Sequence, residues 1–261
     1  MHESIPRHPS GMSPKFNLGE SILTAVNGPG DQIATVAAAD KVRDTLSIDS
    51  LTGLLNKQGY MDKLASEIDG LQPDETVIAF VADLDGFKAV NDGLGHKAGD
   101  DLLIIVADVF TTAFKRHGDV VAHGSREDSS KVARLSGDEN AAYSVKNKSN
   151  PDYRDSTPEQ EAISQEIRLN EILQDAIKDT AYGKYKLKMS VGSAIYEAGD
   201  TAESLFVKAD TKMFENKYRG KADALTQDDL EQLKKMIPYL EKLGHRVENW
   251  LKNAVGLKVT A

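Results

Sequence analysis

The sequence predicts an α/β fold in which helices flank a central sheet, and three observations carry that expectation. Five consecutive apolar residues, Val77-Ile78-Ala79-Phe80-Val81, have the length and composition of a strand covered on both faces. Two short segments, Val132–Leu135 and Ala141–Val145, flank a Ser-Gly-Asp-Glu turn and read as a hairpin. Around them lie stretches with apolar residues at helical spacing. The resulting order from about residue 47 to 222 is helix, strand, helix, hairpin, helix, strand, helix.

The elements follow in chain order. Residues 1–30 are rich in Pro, Gly, Ser and His and read as a flexible leader. Residues 31–46 read as an N-terminal helix, with Ile33, Val36, Ala37, Val42 and Leu46 on one face. Asp49–Asn56 is a capped turn into a helix of about Lys57–Asp69. The Val77–Asp83 strand comes next, then a helix over Gly99–Lys115 carrying Leu102, Leu103, Val106, Val109 and Phe110. After the hairpin, residues 146–157 form a polar loop. Thr157-Pro158 then opens a helix to about Asp179, with Thr as N-cap and Pro at the first helical position. Tyr185–Tyr196 reads as a strand and Ala202–Asn216 as a helix. Residues 223–261 read as a C-terminal helical extension with a stripe of Leu230, Leu233, Ile237, Leu240 and Leu243. That stripe either packs on the domain or pairs with another chain.

Bulk properties narrow the function. A chain of 261 residues holds one sizeable domain with appendages, or two small ones. Its net charge of -9 argues against a nucleic acid polymer as partner, because such binding rests on a basic surface. An anionic substrate would need local cations, a metal, or both. There is no cysteine, which excludes disulfides and thiolate chemistry and is compatible with a reducing compartment. No segment has the apolar length of a membrane span, and Met1–Pro6 lacks the start of a secretion signal. A cytoplasmic protein without membrane insertion is expected.

The chemistry concentrates at strand ends. The first apolar run stops at Asp83 and Asp85, and a second pair, Asp138-Glu139, follows the Ser-Gly turn. Carboxylates at the ends of buried strands are costly unless a cation neutralises them. A divalent metal is the usual partner, and two such clusters suggest one shared site for phosphoryl chemistry. Asp85 can equally be structural, bonding nearby backbone, and His96 reads as a turn or packing residue.

Four blocks then carry a resemblance. They are Asp49–Asn56, Asp83–Asp100, Arg134–Glu139 and Ser190–Lys221, the last including Ala209-Asp210, Met213, Lys217 and Gly220. In this order they resemble the GGDEF domain, the catalytic module of diguanylate cyclases. The resemblance covers roughly 47–222. It implies a central, mainly antiparallel sheet flanked by helices, like the palms of nucleotide cyclases and polymerases. It implies condensation of two GTP into cyclic di-GMP with release of two pyrophosphates, across a homodimer whose subunits face each other. It implies two Mg²⁺ (or Mn²⁺) ions per site, held by Asp83, the main-chain carbonyl of Leu84, and Asp138. Glu139 would stand at the second metal or beside the attacking hydroxyl. Asn91 and Asp100 would read the guanine, supplying a donor and a carboxylate acceptor. Lys88 and Lys217 match lysines that contact phosphates. Lys221 stands where the family usually has Arg, keeping the charge without the planar fork. Ser136 and Gly137 lie where backbone approaches nucleotide. A regulatory protein would act through the N-terminal or C-terminal helices.

The chain also departs from the pattern. Ser136 replaces the first glycine of the signature and Asn140 replaces its phenylalanine. A positive φ at Ser136 would cost about 1 kcal/mol. Asn140 removes an apolar anchor and is expected to loosen the turn. Glu127 and Ser130 stand where the family carries its product-binding Arg and Asp, with Arg126 one residue out of register, so ordinary product inhibition is not expected. The alternative to an active cyclase is a weak or silent GTP-binding module that signals through protein contacts.

Overall fold

A computed structural model describes residues 47–114, 131–147, 157–219 and 227–242, together with residues 252 and 256. The leader, the 31–46 helix, positions 127 and 130, and Lys221 lie outside the described residues.

The elements are α1 (Lys57–Asp69), β1 (Glu75–Asp85), α2 (Phe87–Leu94), α3 (His96–Ala113), β2 (Val132–Ser136), β3 (Glu139–Asn147), α4 (Pro158–Ile177), β4 (Lys188–Ile195), α5 (Ala202–Tyr218) and α6 (Gln227–Lys242). The four strands form one sheet in the order β2-β3-β1-β4, with every neighbouring pair antiparallel. This is the antiparallel sheet flanked by helices that the sequence predicts.

β1 owes its central place to its composition. Alternate side chains point to opposite faces, and both faces of this strand are apolar. Val77, Ala79 and Val81 join the core under α1 and α5. Ile78, Phe80, Ala82 and Leu84 join the core under α2, α3 and α4. All seven are almost fully buried, each large side chain contributing about 1.5–3 kcal/mol. The same alternation sends Asp83 and Asp85 to the α5 side.

Helix ends follow the predicted chemistry. Thr157 caps α4 in a capping box with Gln160, with a proline in the first turn. Thr201 caps α5 in the same way with Ser204. Leu233 and Ile237 of α6 are buried in the α1–α5 core and Leu230 packs against it. The described part of the C-terminal stripe therefore packs on its own domain.

Three boundaries differ from expectation. A short helix, α2, fills the segment between Asp85 and Leu94 that carries no apolar periodicity; Val90 is its one buried residue. Gly86, at φ 90°, turns the chain from β1 into α2, a conformation only glycine adopts cheaply. The following helix starts at His96, earlier than Gly99. β4 starts at Lys188, because Gly183–Tyr185 is a 3₁₀ turn and Lys186 takes a positive φ of 50°.

Gly192 sets how closely α5 approaches β4. A Cβ there would lie 2.5 Å from Met213 Cα and closer still to Met213 N and Ala209 O. The outer edge of β4 is covered differently. Asn170 donates to Met189 O (3.1 Å) and accepts from Met189 N (2.9 Å). Gln174 donates to Leu187 O (2.6 Å), and Asn216 donates to Val191 O (2.7 Å).

Candidate functional site

The carboxylates meet because of strand register. Asp83 stands opposite Glu139 on one side and Ser190 on the other, so the acidic end of β1 and the hairpin turn lie in one row. Asp83 is 6% exposed. Its charge is met by α5: Lys217 Nζ donates to Asp83 Oδ1 at 2.7 Å. Burial disfavours the Lys217 ammonium, yet the hydrogen bond and charge of Asp83 outweigh it and hold the pKa above the ordinary lysine value. Ser190 Oγ donates to Asp85 Oδ2 at 2.5 Å.

The turn between β2 and β3 is held at several points. Gly137 has a φ of 45°. Lys186 is the non-glycine residue of positive φ among the described residues, so Ser136 sits there without backbone strain. Ser136 Oγ donates to Glu139 Oε2 at 2.8 Å. Asn140 is 1% exposed and donates to the Asp138 carbonyl at 3.3 Å. Arg134 Nε donates to the Gly137 carbonyl at 2.9 Å, and its guanidinium pairs with Asp49 at 3.1 Å. Burial would raise the Asp49 pKa, but hydrogen bonds from Thr52 and Arg134 prevail and lower it. The capped turn Asp49–Asn56 is thus tied directly to the acidic hairpin.

A cavity of about 440 Å³ opens behind this hairpin, lined on its polar side by Lys57, Asp83, Ser136, Glu139, Asp210 and Lys217. The sequence alone assigns no role to Asp210, a member of the last block, or to Lys57. Asp210 precedes Lys217 by two helical turns on α5, a spacing that puts both on one face. Its pKa is pushed up to about 6 by burial, with the charge of Glu139 adding to it. Lys57 Nζ lies 5.2 Å from the Phe206 ring centroid.

Asn91 on α2 and Asp100 on α3 lie on either side of the α2–α3 junction. The Asn91 amide lies so close over Gly99 that a Cβ there would clash with it, and Asp100 is the next residue. This corner follows directly from the Asp85 end of β1, the end that carries the carboxylates. Lys88 is exposed on α2, and the Leu84 side chain is buried in the opposite core.

The oxygen donors suit a hard divalent cation. Burial and then the charge of Asp83 raise the Asp138 pKa, a like-charge tension that a bound cation would relieve. Among the described residues no three carboxylate or imidazole groups form a ready cage, and Lys217 supplies the counter-charge at Asp83.

Comparison with known proteins identifies the family and the fold. A family model described as "Diguanylate cyclase, GGDEF domain" matches residues 46–223. An uncharacterized signaling protein of Caulobacter vibrioides is 31% identical over 193 residues, 71% of this chain and 20% of that protein. Diguanylate cyclase DgcP of Escherichia coli is 34% identical over 122 residues, 46% of this chain and 31% of that one. The chain thus spans a minor part of these relatives. Among solved structures, the coiled coil and GGDEF domain of DgcB from Caulobacter crescentus, in complex with c-di-GMP, superposes with a TM-score of 0.51 at 22% identity. That superposition covers 73% of this chain and 93% of that one, and it supports the fold.

Proposed function

The chain belongs to the GGDEF diguanylate cyclase family, and from that premise we propose that it condenses two GTP molecules into cyclic di-GMP with release of two pyrophosphates. The observation that carries the reading is the row of Asp83, Asp138 and Glu139 at one strand end, with Lys217 bonded to Asp83 at 2.7 Å. Supporting it is the seat of the Asn91 amide over Gly99, the residue before Asp100, just beyond the same end of β1.

In this reading Asp100 accepts the guanine N1 and N2 hydrogens and Asn91 supplies a donor to its edge. That pairing favours GTP over ATP. Lys88 and Lys217 neutralise phosphate oxygens, and Lys221 adds a third cation. Glu139 lies beside the attacking 3′-hydroxyl and takes its proton, or helps hold the second metal. Asp83, the Leu84 carbonyl and Asp138 would hold Mg²⁺ or Mn²⁺. Bound there, the ions lower the hydroxyl pKa and offset the charge of the triphosphate. Rigid supports, a strand end and a tight hairpin, keep these groups aimed without large reorganisation. Each protomer would hold one GTP, so two protomers must face each other for the attack to occur.

The test is incubation of purified protein with GTP and Mg²⁺, nucleotides being resolved by chromatography and mass spectrometry. The parent should make cyclic di-GMP and Glu139→Ala should lose it, by at least about a hundredfold if Glu139 acts as base. GTP bound without product, at high protein concentration, would replace the cyclase with a binding module.

A further inference from the structure

The two positions at which this chain leaves the family signature both bond onto the acidic residues between them. Ser136 Oγ donates to Glu139 Oε2, and Asn140 Nδ2 donates to the Asp138 carbonyl. Glycine at the first position has no hydroxyl, and phenylalanine at the second has no donor. Neither bond is available to the usual signature. Both residues sit in the register of the hairpin. Ser136 pairs with Glu139, and Asn140 pairs with Arg134 on β2 and Ala82 on β1. The Asn140 amide is buried, where an unbonded donor is costly. With the Arg134 bond to Gly137, each residue from Gly137 to Glu139 is gripped by a strand side chain.

We propose that Ser136 and Asn140 are a coupled pair of positioning residues that replace an apolar anchor by a polar brace. Asn140 fixes the peptide of Asp138, and Ser136 aims the carboxylate of Glu139. A long flexible carboxylate side chain then meets metal and substrate already oriented. The catalytic part of this inference rests on the cyclase reading; the brace itself does not.

The test uses the full chain with Ser136→Ala, Ser136→Thr, Asn140→Leu and the Ser136→Ala/Asn140→Leu double variant. Ser136 is exposed, so Ser136→Ala folds whatever its role. Amide hydrogen exchange along the β2–β3 ladder next to the turn should rise in Ser136→Ala and return in Ser136→Thr. Calorimetric Mn²⁺ affinity, measured with a non-reactive GTP analogue, should weaken about fivefold. Turnover should fall roughly tenfold with KM for GTP nearly unchanged, the pattern for a charged hydrogen bond acting on the reacting group. Losses in the double variant should be smaller than the product of the single losses. Unchanged exchange and affinity in Ser136→Ala, or losses that simply multiply, would overturn the brace while leaving the cyclase reading intact. Raised exchange in a protein that makes no cyclic di-GMP would sustain the brace and defeat the cyclase reading.

Discussion

Replacing Gly192 by alanine probes the joint on which the cationic side of the site depends. The added methyl would lie 2.5 Å from Met213 Cα, with Met213 N and Ala209 O nearer. Carbon atoms pack best at about 3.5–4.0 Å, so α5 must lift from β4 by about 1 Å. Both neighbours are backbone, so no side-chain rotation can make the room. Alanine by itself would help slightly, by about 0.5–1 kcal/mol, through the lower entropy of the unfolded chain. Overpacking costs about 1–3 kcal/mol and more against backbone. The lifted helix also draws Lys217 from Asp83, now 2.7 Å away, leaving a buried carboxylate poorly paired. A net loss of about 3 kcal/mol is expected, a fall in Tm of about 6–12 °C for a domain of this size. Urea unfolding followed by circular dichroism reads the first effect and GTP-dependent stabilisation the second. A variant within about 0.5 kcal/mol of the parent, with GTP binding intact, would refute the idea that Gly192 sets the seat of α5.

Two further predictions concern charge. Asp210 has a folded pKa of about 6 against 3.8 unfolded, so the folded state favours its proton. Its contribution is best below pH 3.8, worsens as pH rises to 6, and is constant above. Asp210→Asn should therefore be more stable than the parent at pH 7–8 by about 1–2 kcal/mol, allowing for solvent screening, with the gap closing toward pH 4; thermal melts across pH check this, and a pH-independent gap would contradict it. Arg134→Ala should destabilise by about 1–3 kcal/mol through loss of its bonds to Asp49 and Gly137. The Asp49 pKa is lowered in the fold, so its stabilisation is present above the unfolded value and lost as pH falls through the folded one. The Arg134→Ala difference should shrink as denaturation is followed into that acid range.

Much of this molecule is legible in its sequence because its signals are local. The double-faced apolar character of Val77–Val81 and the Thr157-Pro158 cap each state their own outcome, whereas the spacing of Leu230, Leu233 and Ile237 gives a helix but not the surface that it packs on. The α2 helix does not, because its sequence is occupied by polar groups and is positioned by Gly86 and by packing of Val90. The acidic residues of the site were visible as breaks in apolar runs. Asp210 is legible only as a member of the last block and Lys57 only as the start of a helix, since their place in the site arises only when α1 and α5 close over the same face of the sheet. At Asn140 the loss of an aromatic anchor can be read from one position, but the carbonyl that receives the amide is fixed by the hairpin geometry.

The amides along the free side of β4 carry a different consequence. Leu187, Met189 and Val191 would otherwise present a row of open backbone valences, the template on which a foreign strand can nucleate. Asn170, Gln174 and Asn216 fill that template one side chain at a time. Part of the β4 edge is thereby occupied from within. A strand of another copy that added along Leu187–Val191 would first have to displace these amides, so on this flank growth of the ladder competes with bonds the chain already makes.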